Sequence, residues 1–160
     1  MGLFSIPLVL KTAVDEEQRG ADFYNSMAAC ASSKRVKAAA EALAAVELRH
    51  KDEFAAMLEN AGGVDEAEGY AGEHEGYIAA LLDRRAGPGG ADAAKAACDL
   101  GSDADMVAQA LIMERRTLLL YYELRDQMES RDRPRVEAVI DEEKEHVVTL
   151  TDLLVEMERG

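Results

Sequence analysis

The stretches A-V-E-L-R-H (45–50) and D-E-E-K-E-H (141–146) decide how this chain folds. Each places a glutamate three residues ahead of a histidine, Glu47 before His50 and Glu143 before His146. Residues three apart on a helix share a face. The flanking residues say which face it is. Leu43, Val46, Phe54 and Met57 surround the first pair at helical spacing, and Val139, Ile140, Leu150 and Leu153 surround the second. Both pairs therefore lie on apolar stripes and point toward a core, where an unpaired ionised carboxylate costs several kcal/mol or takes up a proton.

Outward from these stretches, two further helical segments carry one inward glutamate each. Glu17 lies between Val14 and Ala21, and Glu114 between Ala110 and Leu118. Four long helices are expected, over about 7–30, 34–60, 103–130 and 134–159. Ser32-Ser33 can cap the second, and Ser102 or Asp103 the third. Gly62-Gly63 stops the second helix, and Pro134 suits the first turn of the fourth.

The connections are unequal. About three residues join helices one and two, and about three join helices three and four, so each pair is expected to be an antiparallel hairpin. The hairpins read as a repeat. Glu17 and Tyr24 correspond to Glu114 and Tyr121, each pair seven apart, and the step from Glu17 to Glu47 is 30 residues against 29 from Glu114 to Glu143. Residues 61–102 form a crossover between the hairpins, with short helices expected over 69–85 and 91–100 on either side of a break at 87–90. A bundle helix is ~40 Å long at 1.5 Å per residue, a length such a crossover spans easily. The expected fold is all-α, a single domain over 1–160 in which two hairpins form an antiparallel four-helix bundle.

Four converging carboxylates repel one another. Two divalent cations relieve both the repulsion and the burial, because four glutamate charges balance two doubly charged ions. Four carboxylates and two imidazoles without sulfur suit iron or manganese, with zinc able to intrude. The expected metal ligands are Glu17, Glu47, His50, Glu114, Glu143 and His146. The competing reading is a helical core whose polar residues pair only among themselves. Tyr24 and Tyr121, two turns beyond Glu17 and Glu114 on the same face, are either hydrogen-bond donors to those carboxylates or plain core residues. Glu16, Glu142 and Glu145 adjoin the ligands in sequence but face elsewhere and are read as solvated. His74, in E-H-E (73–75), is read as an exposed connection residue, with a surface metal as the alternative.

Charge narrows the partners. With 32 acidic against 18 basic residues, the net charge of −14 repels nucleic acid and anionic lipid and attracts cations. Neither nucleic acid nor a membrane is expected as a partner. The apolar run 3–10 is interrupted by Ser5 and Pro7 and is too short for a bilayer span. No basic stretch precedes it and no small-residue cleavage site follows closely, so no signal peptide is expected and the location is read as cytoplasmic. Cys30 and Cys98 belong to no C-x-x-C pair, which excludes a cysteine-based zinc or iron site. A disulfide between them is permitted but not implied. Two separate thiols, buried or half-buried in a reducing cytosol, are the expectation.

The segments D-E-E-Q-R-G-A-D-F-Y (15–24), A-V-E-L-R-H (45–50), M-E-R-R-T-L-L-L-Y-Y-E-L-R-D (113–126) and D-E-E-K-E-H (141–146) together resemble the rubrerythrin and ferritin superfamily. Its di-iron members draw one Glu from each of two helices and a Glu-x-x-His from each of the other two. The resemblance covers all four helices but not the crossover. It implies a ferritin-like bundle holding two irons, Fe2+ or Fe3+, with Glu17 and Glu114 as terminal ligands, Glu47 and Glu143 as bridges, and His50 and His146 completing one iron each. Rubrerythrins usually carry a further Glu three residues after the third-helix ligand, where this chain has Thr117, so the ligand set is more like that of bacterioferritin. No rubredoxin domain follows the fourth helix, so a separate electron-donor protein is expected. No fifth helix follows either, which argues against a storage cage. The activity implied is a rubrerythrin-like oxidoreductase that meets peroxide or O2, working at least as a homodimer. A ferroxidase or iron-handling protein is one alternative, and a metal-binding bundle without turnover is another.

Overall fold

The computed structural model describes residues 6–62, 76–78, 80–81, 97–128 and 131–159. Four long helices account for most of them: α1 (Ile6–Cys30), α2 (Lys34–Asn60), α3 (Asp103–Gln127) and α4 (Arg133–Arg159). No strand occurs among the described residues, so the chain is all-α there. Three of the four helices match the expected spans to within a residue at each end. The third is shorter, ending at Gln127 rather than 130, because Met128 turns extended at φ −70° and ψ 140°. The short helices expected in the crossover fall mostly outside the described residues, as does His74; 76–78, 80–81 and 97–99 are helical.

Local chemistry sets the helix ends. Ser33 and Ser102 are the N-caps of α2 and α3, accepting from the backbone N–H of Val36 and Asp105 at 3.4 and 3.1 Å. Past the end of α2, Gly62 adopts φ +89°, a conformation that glycine takes without steric cost. Asp103, the first residue of α3, reaches back to the α1–α2 turn and accepts from the N–H groups of Ser32 and Ser33 at 2.9 and 2.7 Å. One carboxylate thus ties the second hairpin to the first.

α1 packs along α2, α3 along α4, and α1 against α3. α2 and α4 touch far less. Exposed ion pairs span their gap near either end: Arg35 with Glu156 at 2.6 Å, and Glu53 with Arg135 at 2.6 Å. These pairs join the start of one helix to the end of the other, so α2 and α4 run antiparallel. Being solvated, each contributes no more than about 1 kcal/mol.

The apolar core is split in two. One cluster gathers Phe23, Tyr24, Met27, Leu43, Val107 and Leu150 with their neighbours; Ala97 of the crossover packs into it. The other gathers Leu10, Phe54, Leu120, Tyr121, Leu124 and Ile140, joined by Ile78 of the crossover. The glutamates and histidines singled out in the sequence lie between them along the helices.

The cysteines depart from expectation. Cys30 and Cys98 are joined as a disulfide, with Cα atoms 5.4 Å apart. Both are exposed rather than buried. Cys30 is the last residue of α1, and Ala97 is buried in the same core cluster as Met27, which sets the adjoining Cys98 near the helix end. The separation of 68 residues hid this proximity in the sequence.

Candidate metal centre

All six expected ligands are buried: Glu17, Glu47, His50, Glu114, Glu143 and His146 are each at most 5% exposed. They converge. Glu17, Glu47, His50 and Glu143 each offer one donor atom, and these atoms lie within 4.8 Å of one another. Glu47, Glu114, Glu143 and His146 make a second such set at the same limit. Glu47 and Glu143 belong to both sets, while each remaining member belongs to one. Either set can hold a metal ion.

The histidines turn the same atom inward. Nδ1 of His50 lies 2.7 Å from Glu143 and 3.8 Å from Glu17. Nδ1 of His146 lies 3.2 Å from Glu47, 3.3 Å from Glu143 and 3.6 Å from Glu114. Close as they are, these approaches lie off the axis along which a ring nitrogen makes a hydrogen bond, and both Nδ1 atoms are left without one. So are Glu17 Oε2, Glu47 Oε1 and both carboxylate oxygens of Glu143. Buried polar atoms are rarely orphaned. Here the orphans are concentrated on atoms facing one shared space, and a cation in that space satisfies them together. The donor sets therefore fit a metal ion.

Electrostatics without metal are unfavourable. Burial first, and then the carboxylates of Glu47 and Glu143, push Glu17 and Glu114 well above the ordinary carboxylate range. Burial and Glu143 push Glu47 up as well. Glu143 goes the other way: burial raises it, but the close imidazoles of His146 and His50 outweigh that and lower it. Burial lowers His146, yet the nearby carboxylates of Glu114, Glu143 and Glu47 prevail and lift it to about 12. His50 is raised by the same balance, with Glu143 as the main partner. Without a cation, the centre would hold protons where a metal would otherwise supply the positive charge.

The tyrosines act across the hairpins. Tyr24 of α1 donates its hydroxyl to Glu114 of α3, and Tyr121 of α3 donates to Glu17 of α1. Both are buried and both serve as donors to the carboxylates, the first of the two sequence readings. Each serves the glutamate of the opposite hairpin, not the one on its own helix.

Two functional residues escaped the sequence reading. Its sequence position suggests a solvated Glu142, but Oε2 lies 3.0 Å from Nε2 of His50 and the carboxylate also pairs with Arg49. It is half-exposed, so on its own helix it resembles any surface glutamate. The second is Gly20. A Cβ there would come within 2.5 Å of Glu47 Oε2. A glycine inside a helix three residues past Glu17 was the available signal, since such a glycine costs about 1 kcal/mol relative to alanine and calls for a packing reason.

No described helix is long and apolar enough to cross a membrane. No family model, curated protein or solved structure matches this chain.

Proposed function

We propose that this protein is a di-iron oxidoreductase on a ferritin-like four-helix bundle, resembling rubrerythrin, that reacts with peroxide or O2 and is re-reduced by a separate donor protein. One observation carries the reading: two buried four-residue donor sets share Glu47 and Glu143. Two carboxylates common to both sets are suited to bridging a pair of ions, with Glu17 and His50 completing one and Glu114 and His146 the other. The hard oxygen donors and imidazoles, without thiolate, favour iron or manganese over structural zinc.

When bound, a redox-active pair supplies the electrons that reduce peroxide or O2. The chain's own residues do the rest. Apolar clusters on both sides exclude bulk water and strengthen the interaction of each carboxylate with positive charge. Tyr24 and Tyr121 orient the terminal carboxylates of Glu114 and Glu17 and hold their phenolic protons tightly, because burial and the neighbouring carboxylate raise both. Glu142 fixes the His50 ring so that Nδ1 faces inward.

The test is anaerobic reconstitution with Fe(II), elemental analysis, and then addition of peroxide or O2. Two irons per chain that are oxidised and stay in place support the proposal. Accumulation well beyond two per chain marks an iron-handling protein instead, and an oxidant-inert centre marks a binding bundle without turnover. Glu47→Ala and Glu143→Ala should each abolish two-ion loading; normal loading in both overturns the shared-ligand assignment.

A further inference from the structure

The centre is built from a repeat, but its surroundings are not symmetric. His50 has a tether on its outer nitrogen: Nε2 meets Glu142 at 3.0 Å, and Glu142 is paired in turn with Arg49. Glu142 immediately precedes the shared Glu143. The residue in the matching place before Glu47 is Val46, which can accept no hydrogen bond. The counterpart of Arg49, immediately before the histidine, is the acidic Glu145. No described residue hydrogen-bonds Nε2 of His146.

The same asymmetry appears in the packing. Where α2 and α4 part, a groove of about 510 Å³ opens between them. Its floor and walls include Ala39, Ala42 and Val46 of α2 and Glu145, His146 and Thr149 of α4. Of the six converging residues, His146 alone lines it. The small side chains Ala39 and Ala42 keep it open, and Glu142 and Glu145 supply carboxylates along it. The untethered histidine is therefore also the one that borders solvent.

Resting on the dinuclear reading above, we infer that the two metal positions are unequal: the ion at His50 is retained, and the divalent cation at His146 exchanges through the α2–α4 groove. Partners that hold a ligating histidine from behind change metal affinity about 10- to 100-fold, which sets the size of the difference.

Co(II) is a suitable probe, since its absorption reports each binding step without turnover. Metal-free protein titrated with Co(II) should take up two ions in two steps at least about tenfold apart in affinity. Transfer to an excess of chelator should show one fast and one slow ion. Val46→Glu, which supplies the missing tether, should bring the two steps together. Glu142→Gln should instead weaken the tighter one. Ala42→Leu, at the exposed lip of the groove, should slow entry and release of the fast ion several-fold while leaving its affinity unchanged. Uptake of two indistinguishable ions overturns this inference alone, as does an unchanged fast ion when the groove is filled. Uptake of fewer than two overturns the dinuclear reading itself.

Discussion

Tyr24 on α1 hydrogen-bonds Glu114 on α3, and the exchange is mutual, since Tyr121 on α3 hydrogen-bonds Glu17 on α1. The pairing follows from the antiparallel course of two helices carrying the same seven-residue spacing. Replacing either tyrosine with phenylalanine leaves a buried carboxylate oxygen unpartnered, which costs about 1–3 kcal/mol. Tyr24→Phe and Tyr121→Phe should each destabilise the metal-free protein by that amount in denaturant titrations. A negligible loss in both would show that the hydroxyls are mere core filling.

The pH dependence of the metal-free protein has a definite sign. Glu17, Glu47 and Glu114 are raised above 4.5, and His50 and His146 above 6.5. Between the ordinary and the raised value, the folded chain holds a proton that the unfolded chain has released. Stability must then fall as pH rises. The decline begins near pH 4.5 with the carboxylates, and the part contributed by His146 is lost as pH passes about 12. Glu143, lowered on folding, stabilises above 4.5 and loses that effect only on the acid side. Thermal melts after chelation should show Tm decreasing from about pH 5 to about pH 9, with a shallower slope in Glu17→Gln. A Tm that climbs across that range would contradict the assignment.

Gly20→Ala separates helix stability from metal binding. Alanine gains about 1 kcal/mol in an unobstructed helix, but here its Cβ would meet Glu47 Oε2 at 2.5 Å. The carboxylate, being the end of a side chain, is the part that gives way. The variant should remain within about 1 kcal/mol of its parent and lose most two-ion loading, read by elemental analysis beside a melt. Full loading would mean that Glu47 has another usable rotamer.

Cutting the Cys30–Cys98 bridge should weaken the fold without touching the centre. The bridge closes a long loop, its ends separated by 68 positions in the sequence, and such links contribute about 2–4 kcal/mol. Cys30→Ser with Cys98→Ser should lower stability by that order, and a reductant should do the same to the parent protein. Metal content should not change, because none of the six donors touches either cysteine. Loss of metal on reduction would show that the bridge helps to position the helices.

The donors were legible because each of the six sits on an apolar stripe of its own helix. Glu47 and His50 between Leu43 and Phe54, or Glu17 between Val14 and Ala21, can be placed from helical periodicity alone. What was hidden depends on the angle between helices. Glu142 lies on the flank of α4, and only the approach of α2 brings His50 to it. The crossed tyrosines needed the direction of α3 relative to α1. Gly20 needed the distance between α1 and α2, and the disulfide needed the path of a crossover that carries no periodic pattern strong enough to trace. Periodicity along one helix gives the inward face but not the neighbour that the face meets.

The pseudo-twofold arrangement has a consequence for how the protein fails. Each hairpin owns three of the six donors and a tyrosine that serves the other half. Neither half carries enough to retain an ion once the two have parted. Escape of metal and undocking of the hairpins are thus linked equilibria. A cation held between the halves would therefore stabilise their docking, and parting the hairpins would release it.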